Sequence, residues 1–139
     1  RRILRFFGAS AADSAEGAEI GPTRASFADC FINQKCRDDI IADNLAFTEV
    51  KSENSIDRIK GVAQHPRFIE RVPAGMVFDF AVTIKKMEGD EDLLSLFLEG
   101  CRLLELDALG GSGSRGYGRV QFAFADATIQ QQFDSTAAI

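Results

Sequence analysis

The chain has 139 residues, 45% of them hydrophobic, and a formal net charge of -5. That length suits one compact domain with a single core; no run approaches the ~18 apolar residues of a membrane span, and the acidic balance argues against a protein that coats nucleic acid through bulk positive charge. Cys30, Cys36 and Cys101 are odd in number and form no C-x-x-C pair, which excludes a disulfide framework or zinc ribbon and fits a reducing cytoplasm.

In chain order, Arg1–Phe7 looks like the end of a helix, and with no Met before it the chain is expected to be N-terminally incomplete. It has charge but no apolar stretch long enough for a signal peptide. Ala9–Gly21 is small, polar and acidic and predicts a mobile surface loop. Ala25–Ile32 is apolar on both sides of a period of two, as in a strand buried on both faces. Asp38–Asn44 suits a turn or a short helix, and Phe47–Lys51 begins another extended run. Met76, Phe78, Phe80, Val82 and Ile84 alternate as in a strand with one face on the core.

Asp90 or Asp92 can cap the next element, a helix whose Leu93, Leu96, Phe97, Cys101, Leu104 and Ala108 recur at helical spacing and would cover the sheet. Between Lys86 and Asp107 this region also concentrates acid: Glu88, Asp90, Glu91, Asp92, Glu99, Glu105 and Asp107 against Lys86 and Arg102. Val120, Phe122 and Phe124 alternate as a final strand, and Ile129–Ile139 has no strong period and is expected to be peripheral. The order predicts an α+β fold: a ferredoxin-like or RRM-like antiparallel sheet with helices on one face, its first strand missing, spanning residues 1–139 as a single domain.

The segment Gly110–Arg119 reads GGSGSRGYGR. Its glycines let backbone N–H groups of Gly111, Ser112, Gly113, Ser114 and Gly116 approach phosphate oxygens without interference from Cβ atoms, while Arg115 and Arg119 add forked donors and Tyr117 a ring. Gly111, Gly113 and Gly116 also satisfy G-x-G-x-x-G. A dinucleotide fingerprint, however, follows a strand and opens a helix, whereas here a helix precedes and a strand follows. A ligand-free solvent loop is the plain alternative.

Glu49–Gly75 interleaves Lys51, Arg58, Lys60, Arg67 and Arg71 with Glu49, Glu53, Asp57 and Glu70, and scatters apolar residues among them. Gly61, Pro66 and Pro73 interrupt it, so it predicts a long hairpin projecting from the sheet. Cations beside apolar side chains can hold phosphates and wedge against bases; a solvated, ion-paired hairpin is the alternative. His65, the one histidine, is placed near the tip as a surface or RNA-contacting residue, with a general-base role in RNA cleavage as the competing assignment. Cys30, Cys36, His65 and Cys101 match no standard metal-ligand spacing, so no metal is assigned to this chain.

Three stretches, Arg5–Ser10 (RFFGAS), the ENSIDRIKG and HPRFIERVPAG block from Glu53 to Gly75, and Leu109–Val120 (LGGSGSRGYGRV), resemble the backbone subunit of type III CRISPR effector (Csm) complexes, in the RAMP superfamily. The resemblance implies a guide-RNA-binding scaffold that captures complementary target RNA and stacks with copies of itself and other effector subunits in the cytoplasm, with no membrane partner. Glu53–Pro73 corresponds to the family's thumb, inserted within residues 49–75. Family members cleave target RNA with a divalent metal and an aspartate on an N-terminal loop that has no counterpart here. Asp29 and Asp57 are therefore not promoted to that role and no catalytic residue is assigned. A guide-processing endoribonuclease using His65 and a protein-only assembly module are the competing readings.

Overall fold

The computed structural model describes residues 2–9 and 20–137; the loop expected over Ala9–Gly21 lies almost wholly outside them. The chain is α+β and forms two compact units, one from residues 1–26 with 83–139 and the other from 27–82. No helix among the described residues is long and apolar enough to cross a membrane.

In the first unit, α1 (Arg2–Phe7) buries Phe6, whose ring stacks at 6.1 Å on Phe97. Helix α3 (Leu93–Leu106) begins where Asp92 accepts hydrogen bonds from Ser95 N at 3.1 Å and Ser95 Oγ at 2.6 Å, settling the choice of cap. This bond satisfies an N–H that the first turn leaves without a partner. Helix α4 (Ala127–Ser135) is capped the same way by Asp126, through Thr128 N and Ile129 N. Leu98, Cys101 and Phe133 form the core, with Phe122 and Phe124 packed against them. The tail expected to be peripheral is thus part of that core. Its apolar Ile129 and Phe133 are only two residues, four apart, too few to register as a period.

The expected final strand is corrected too. Val120–Phe124 belongs to no sheet among the described residues, although its alternation points Phe122 and Phe124 at the core as expected. Side chains take the place of a neighbouring strand: Phe122 N donates to Glu105 Oε1 at 2.7 Å and Phe124 N to Gln130 Oε1 at 2.7 Å.

The single strands expected over Ala25–Ile32 and Met76–Ile84 are each broken in two. β1 (Ala25–Phe27) pairs with β6 (Val82–Ile84), and β2 (Phe31–Ile32) pairs antiparallel with β5 (Phe78–Asp79). Across the interruption Ala28 N donates to Ala81 O at 3.0 Å. Nor is the Ala25–Ile32 run buried on both faces: Phe31 is 72% exposed. Between β2 and the hairpin the helical alternative holds, as α2 (Gln34–Ala42), capped by Asn33.

The second unit is dominated by β3 (Glu49–Asp57) and β4 (Val62–Arg71), an antiparallel hairpin with Glu49 opposite Arg71 and Asp57 opposite Val62. Its register breaks between Glu53 and Ser55, so that His65 and Pro66 together oppose Asn54. Pro66 has no N–H to give to a ladder, and a bulge is where a strand accommodates it. The turn falls at Arg58–Gly61, four residues before His65. The expected position of His65 near the tip is therefore corrected: it lies within β4, with φ of 52°.

Candidate nucleic-acid interface

Loop Gly110–Arg119 follows α3 and closes on its own stem. Leu109 N donates to Gly118 O at 2.8 Å, and a Cβ on Gly118, whose φ is 71°, would collide with the Leu109 carbonyl. Only glycine permits that closure. Inside it, Ser112 adopts left-handed backbone angles (φ 63°, ψ 26°) and is followed by a single 3-10 turn over Gly113–Arg115 that ends on left-handed Gly116. The N–H groups of Gly111, Ser112, Gly113 and Ser114 make no backbone hydrogen bond among the described residues. Successive N–H groups in backbone of alternating hand are the ingredients of an anion-binding nest.

Arg115 and Arg119 are exposed at this loop, as are Gly111–Gly116. Tyr117 is not: at 6% exposure it anchors the loop to the first unit. Gly111 differs from its neighbours in having an ordinary φ, and a Cβ added there would meet no atom within 4 Å.

On the hairpin, the cross-strand register sorts the side chains into two faces. Glu49, Lys51 and Glu53 lie opposite Arg71, Ile69 and Arg67 on the half-buried face, where Arg71 Nε pairs with Glu49 Oε1 at 2.5 Å and Arg67 Nε with Glu53 Oε2 at 3.7 Å. The other face carries Val50, Ile56 and Phe68, the last 75% exposed.

Asp57 builds the tip. Its Oδ1 accepts from Ile59 N at 2.9 Å and Lys60 N at 3.1 Å, its Oδ2 accepts from Gln64 Nε2 at 3.1 Å, and its carbonyl accepts from Gly61 N at 2.7 Å. The carboxylate is committed to the turn. Arg58 and Lys60 are exposed and make no ion pair among the described residues, and Ile59 between them is 97% exposed. Ile59 is one of the apolar residues expected to be scattered through the hairpin, but its place at the tip was not singled out; the Asp57-x-x-x-Gly61 turn pattern was the available signal.

Arg24 was likewise missed. Its guanidinium is buried against Asp90 in the first unit, where it also donates to the Pro22 carbonyl. Cys101 is buried, Cys36 half-buried and Cys30 exposed; burial, reinforced by the Glu105 carboxylate, pushes the Cys101 thiol up to about 11. Among the described residues no group of three or more His, Cys, Asp or Glu is placed to hold a metal ion. The donors among the described residues do not fit the divalent metal of the resemblance.

An α+β chain whose glycine-rich loop follows a helix, beside a long cation-bearing hairpin, lacks the strand-then-helix order of a dinucleotide site. The chain belongs to the RAMP superfamily, whose family model matches residues 37–121, a span holding both the hairpin and the loop. It is 38% identical over 138 residues to a protein of Enterococcus italicus named CRISPR system Cms endoribonuclease Csm3, covering 96% of this chain and 61% of that one. Proteins of the same name from Methanothermobacter thermautotrophicus and Streptococcus thermophilus are 50% identical over 74 residues and 46% identical over 87. These alignments cover 53% and 60% of this chain, and 30% and 39% of those proteins. The chain thus spans less than two thirds of the length of these relatives.

Proposed function

We propose that this chain is the guide-RNA-binding part of a backbone subunit in a type III CRISPR ribonucleoprotein that captures complementary target RNA. The observation that carries the reading is the nest: four consecutive free N–H groups from Gly111 to Ser114 beside Arg115 and Arg119. Such a site binds a phosphate without reading a base, which is what a scaffold needs when sequence is read by pairing between guide and target. Membership of the superfamily and the names of the relatives support the same reading.

In this proposal β3–β4 is the thumb within residues 49–75, and Lys51, Arg58, Lys60, His65, Arg67 and Arg71 are its RNA-facing residues. Net acidity is no obstacle, because the ligand meets local cations within about a Debye length, ~8–10 Å at physiological salt. An RRM-like sheet would use Val120–Phe124 as a strand, paired with a segment absent from the described residues. Guide RNA, target RNA, further copies of the chain and other effector subunits are the proposed partners, and the cytoplasm the proposed setting. RNA cleavage, named for the relatives, is proposed for the full-length protein, with its divalent metal held by residues other than those described here.

The test is binding of a single-stranded guide to the purified chain and to Gly111→Ala. A loss of affinity with unchanged thermal stability supports the nest as the phosphate site. Equal affinity in the two proteins contradicts it.

A further inference from the structure

Loop Gly110–Arg119 is held at its stem by two hydrogen bonds, one outside the other, and we infer that the outer one makes Glu105 a positioning residue for the loop. The inner bond runs from Leu109 N to Gly118 O at 2.8 Å. The outer runs from Phe122 N to Glu105 Oε1 at 2.7 Å. Glu105 lies four residues before Leu109, and Phe122 four after Gly118. The chain leaving the loop is therefore tied back to the last turn of α3, the helix from which the loop starts. The inference rests on the reading of this loop as the RNA phosphate site, and adds to it a residue that acts through the backbone and not on the ligand.

Glu105 can keep that position because its other oxygen is also held. Oε2 accepts from Arg102 NH1 at 2.8 Å, and the Arg102 guanidinium lies 4.0 Å from the centre of the buried Phe133 ring. On α4, Asp134 stands 3.7 Å from Arg102 NH2 and accepts from Gln130 Nε2 at 2.9 Å. Gln130 Oε1 in turn accepts from Phe124 N at 2.7 Å. Phe122 N and Phe124 N are thus received at the two ends of one chain of side chains, Glu105, Arg102, Asp134 and Gln130, all in the first unit. A side chain whose rotamer is locked by such outer contacts positions its partner more precisely than one left to itself. Arg102 also offsets the charge of a carboxylate that, uncompensated beside the loop, would repel a phosphate.

The experiment reads amide hydrogen exchange in the RNA-free chain beside fluorescence anisotropy of a labelled single-stranded guide, in the parent, Glu105→Ala and Glu105→Gln. Alanine removes the acceptor, whereas glutamine gives up the charge and keeps an oxygen for Phe122 N. In the parent, Leu109 N and Gly116 N are hydrogen-bonded and report on the closed loop.

Glu105→Ala should speed exchange at Leu109, Gly116 and Phe122 by about tenfold and weaken guide binding by about tenfold, the loss of roughly one hydrogen bond to a charged acceptor. Leu98 and Cys101, in the middle of α3, should exchange as in the parent. Glu105→Gln should bring both readouts back to within about threefold of the parent. Should the middle of α3 loosen in the alanine variant, the glutamine variant still decides. Glutamine no better than alanine, unchanged exchange at Leu109 and Gly116 in Glu105→Ala, or a loosened loop with unchanged guide affinity would each overturn the inference. A parent chain that binds no guide, with the exchange pattern as expected, would contradict the RNA-binding reading while supporting the tie between Glu105 and the loop.

Discussion

Arg24 and Asp90, 66 positions apart in the chain, meet through two parallel hydrogen bonds, Nε to Oδ2 at 2.9 Å and NH2 to Oδ1 at 3.1 Å. The same carboxylate accepts Met87 N at 2.9 Å, and Arg24 O accepts Lys85 N at 2.8 Å. One ion pair therefore ties β1 to the turn that launches α3.

The pair makes stability depend on pH in a defined direction. The hydrogen bond from Arg24, then that from Met87, holds the Asp90 carboxyl below its ordinary value of 3.8. A depressed carboxyl contributes stability that is present above the unfolded value and is lost as pH falls through the folded one. Asp90→Asn should lower the melting temperature at pH 7, and the gap to the parent protein should shrink below about pH 3.8. Melting curves at pH 7 and pH 3 check this; a gap that widens in acid would contradict it.

Two glycines of one loop should behave oppositely. Gly118→Ala places a Cβ against Leu109 O at a positive φ, which should destabilise the first unit by more than about 2 kcal/mol. Gly111→Ala meets open space and should change stability by less than about 1 kcal/mol. It should nevertheless weaken RNA binding by about tenfold, the loss of roughly one charge-assisted hydrogen bond. Denaturant titration beside RNA anisotropy separates the two effects.

Phe133 measures how far the C-terminal helix belongs to the core. Its ring is 1% exposed, packs edge-on against Phe124 at 5.0 Å and lies 4.0 Å beneath the Arg102 guanidinium. Phe133→Ala should cost about 3–5 kcal/mol, and a cost below about 1 kcal/mol would show that helix to be an appendage.

The sequence was most legible where one local rule governs. Helix α3 follows from its apolar spacing and the Asp92 cap, and the hairpin follows from punctuated strands. It was least legible where partners are remote. Nothing in the period-two pattern of Met76–Ile84 marks the interruption opposite Ala28–Cys30, because that break depends on which strand lies alongside. The alternation of Val120–Phe124 reports which side chains face the core, and it is silent on whether Glu105 and Gln130 or another strand receives the N–H groups. At the candidate site the glycines were readable as a loop, whereas the buried role of Tyr117 emerges only from packing.

The cysteines should separate by reactivity. Cys101 is buried with its thiol pushed up to about 11, and the thiolate is the reactive form. At pH 8 an alkylating reagent should modify exposed Cys30 first and Cys101 only on unfolding, as peptide mass spectrometry would show. Rapid labelling of Cys101 in the folded protein would contradict the core assignment.

The most direct test of guide-RNA backbone binding is its salt dependence in the parent chain, Arg115→Ala and Arg67→Ala. Each substitution should weaken binding to single-stranded guides regardless of their sequence, and should reduce the slope of log affinity against log salt by roughly 0.7 for each phosphate no longer neutralised. Unchanged slopes in both variants would contradict the account.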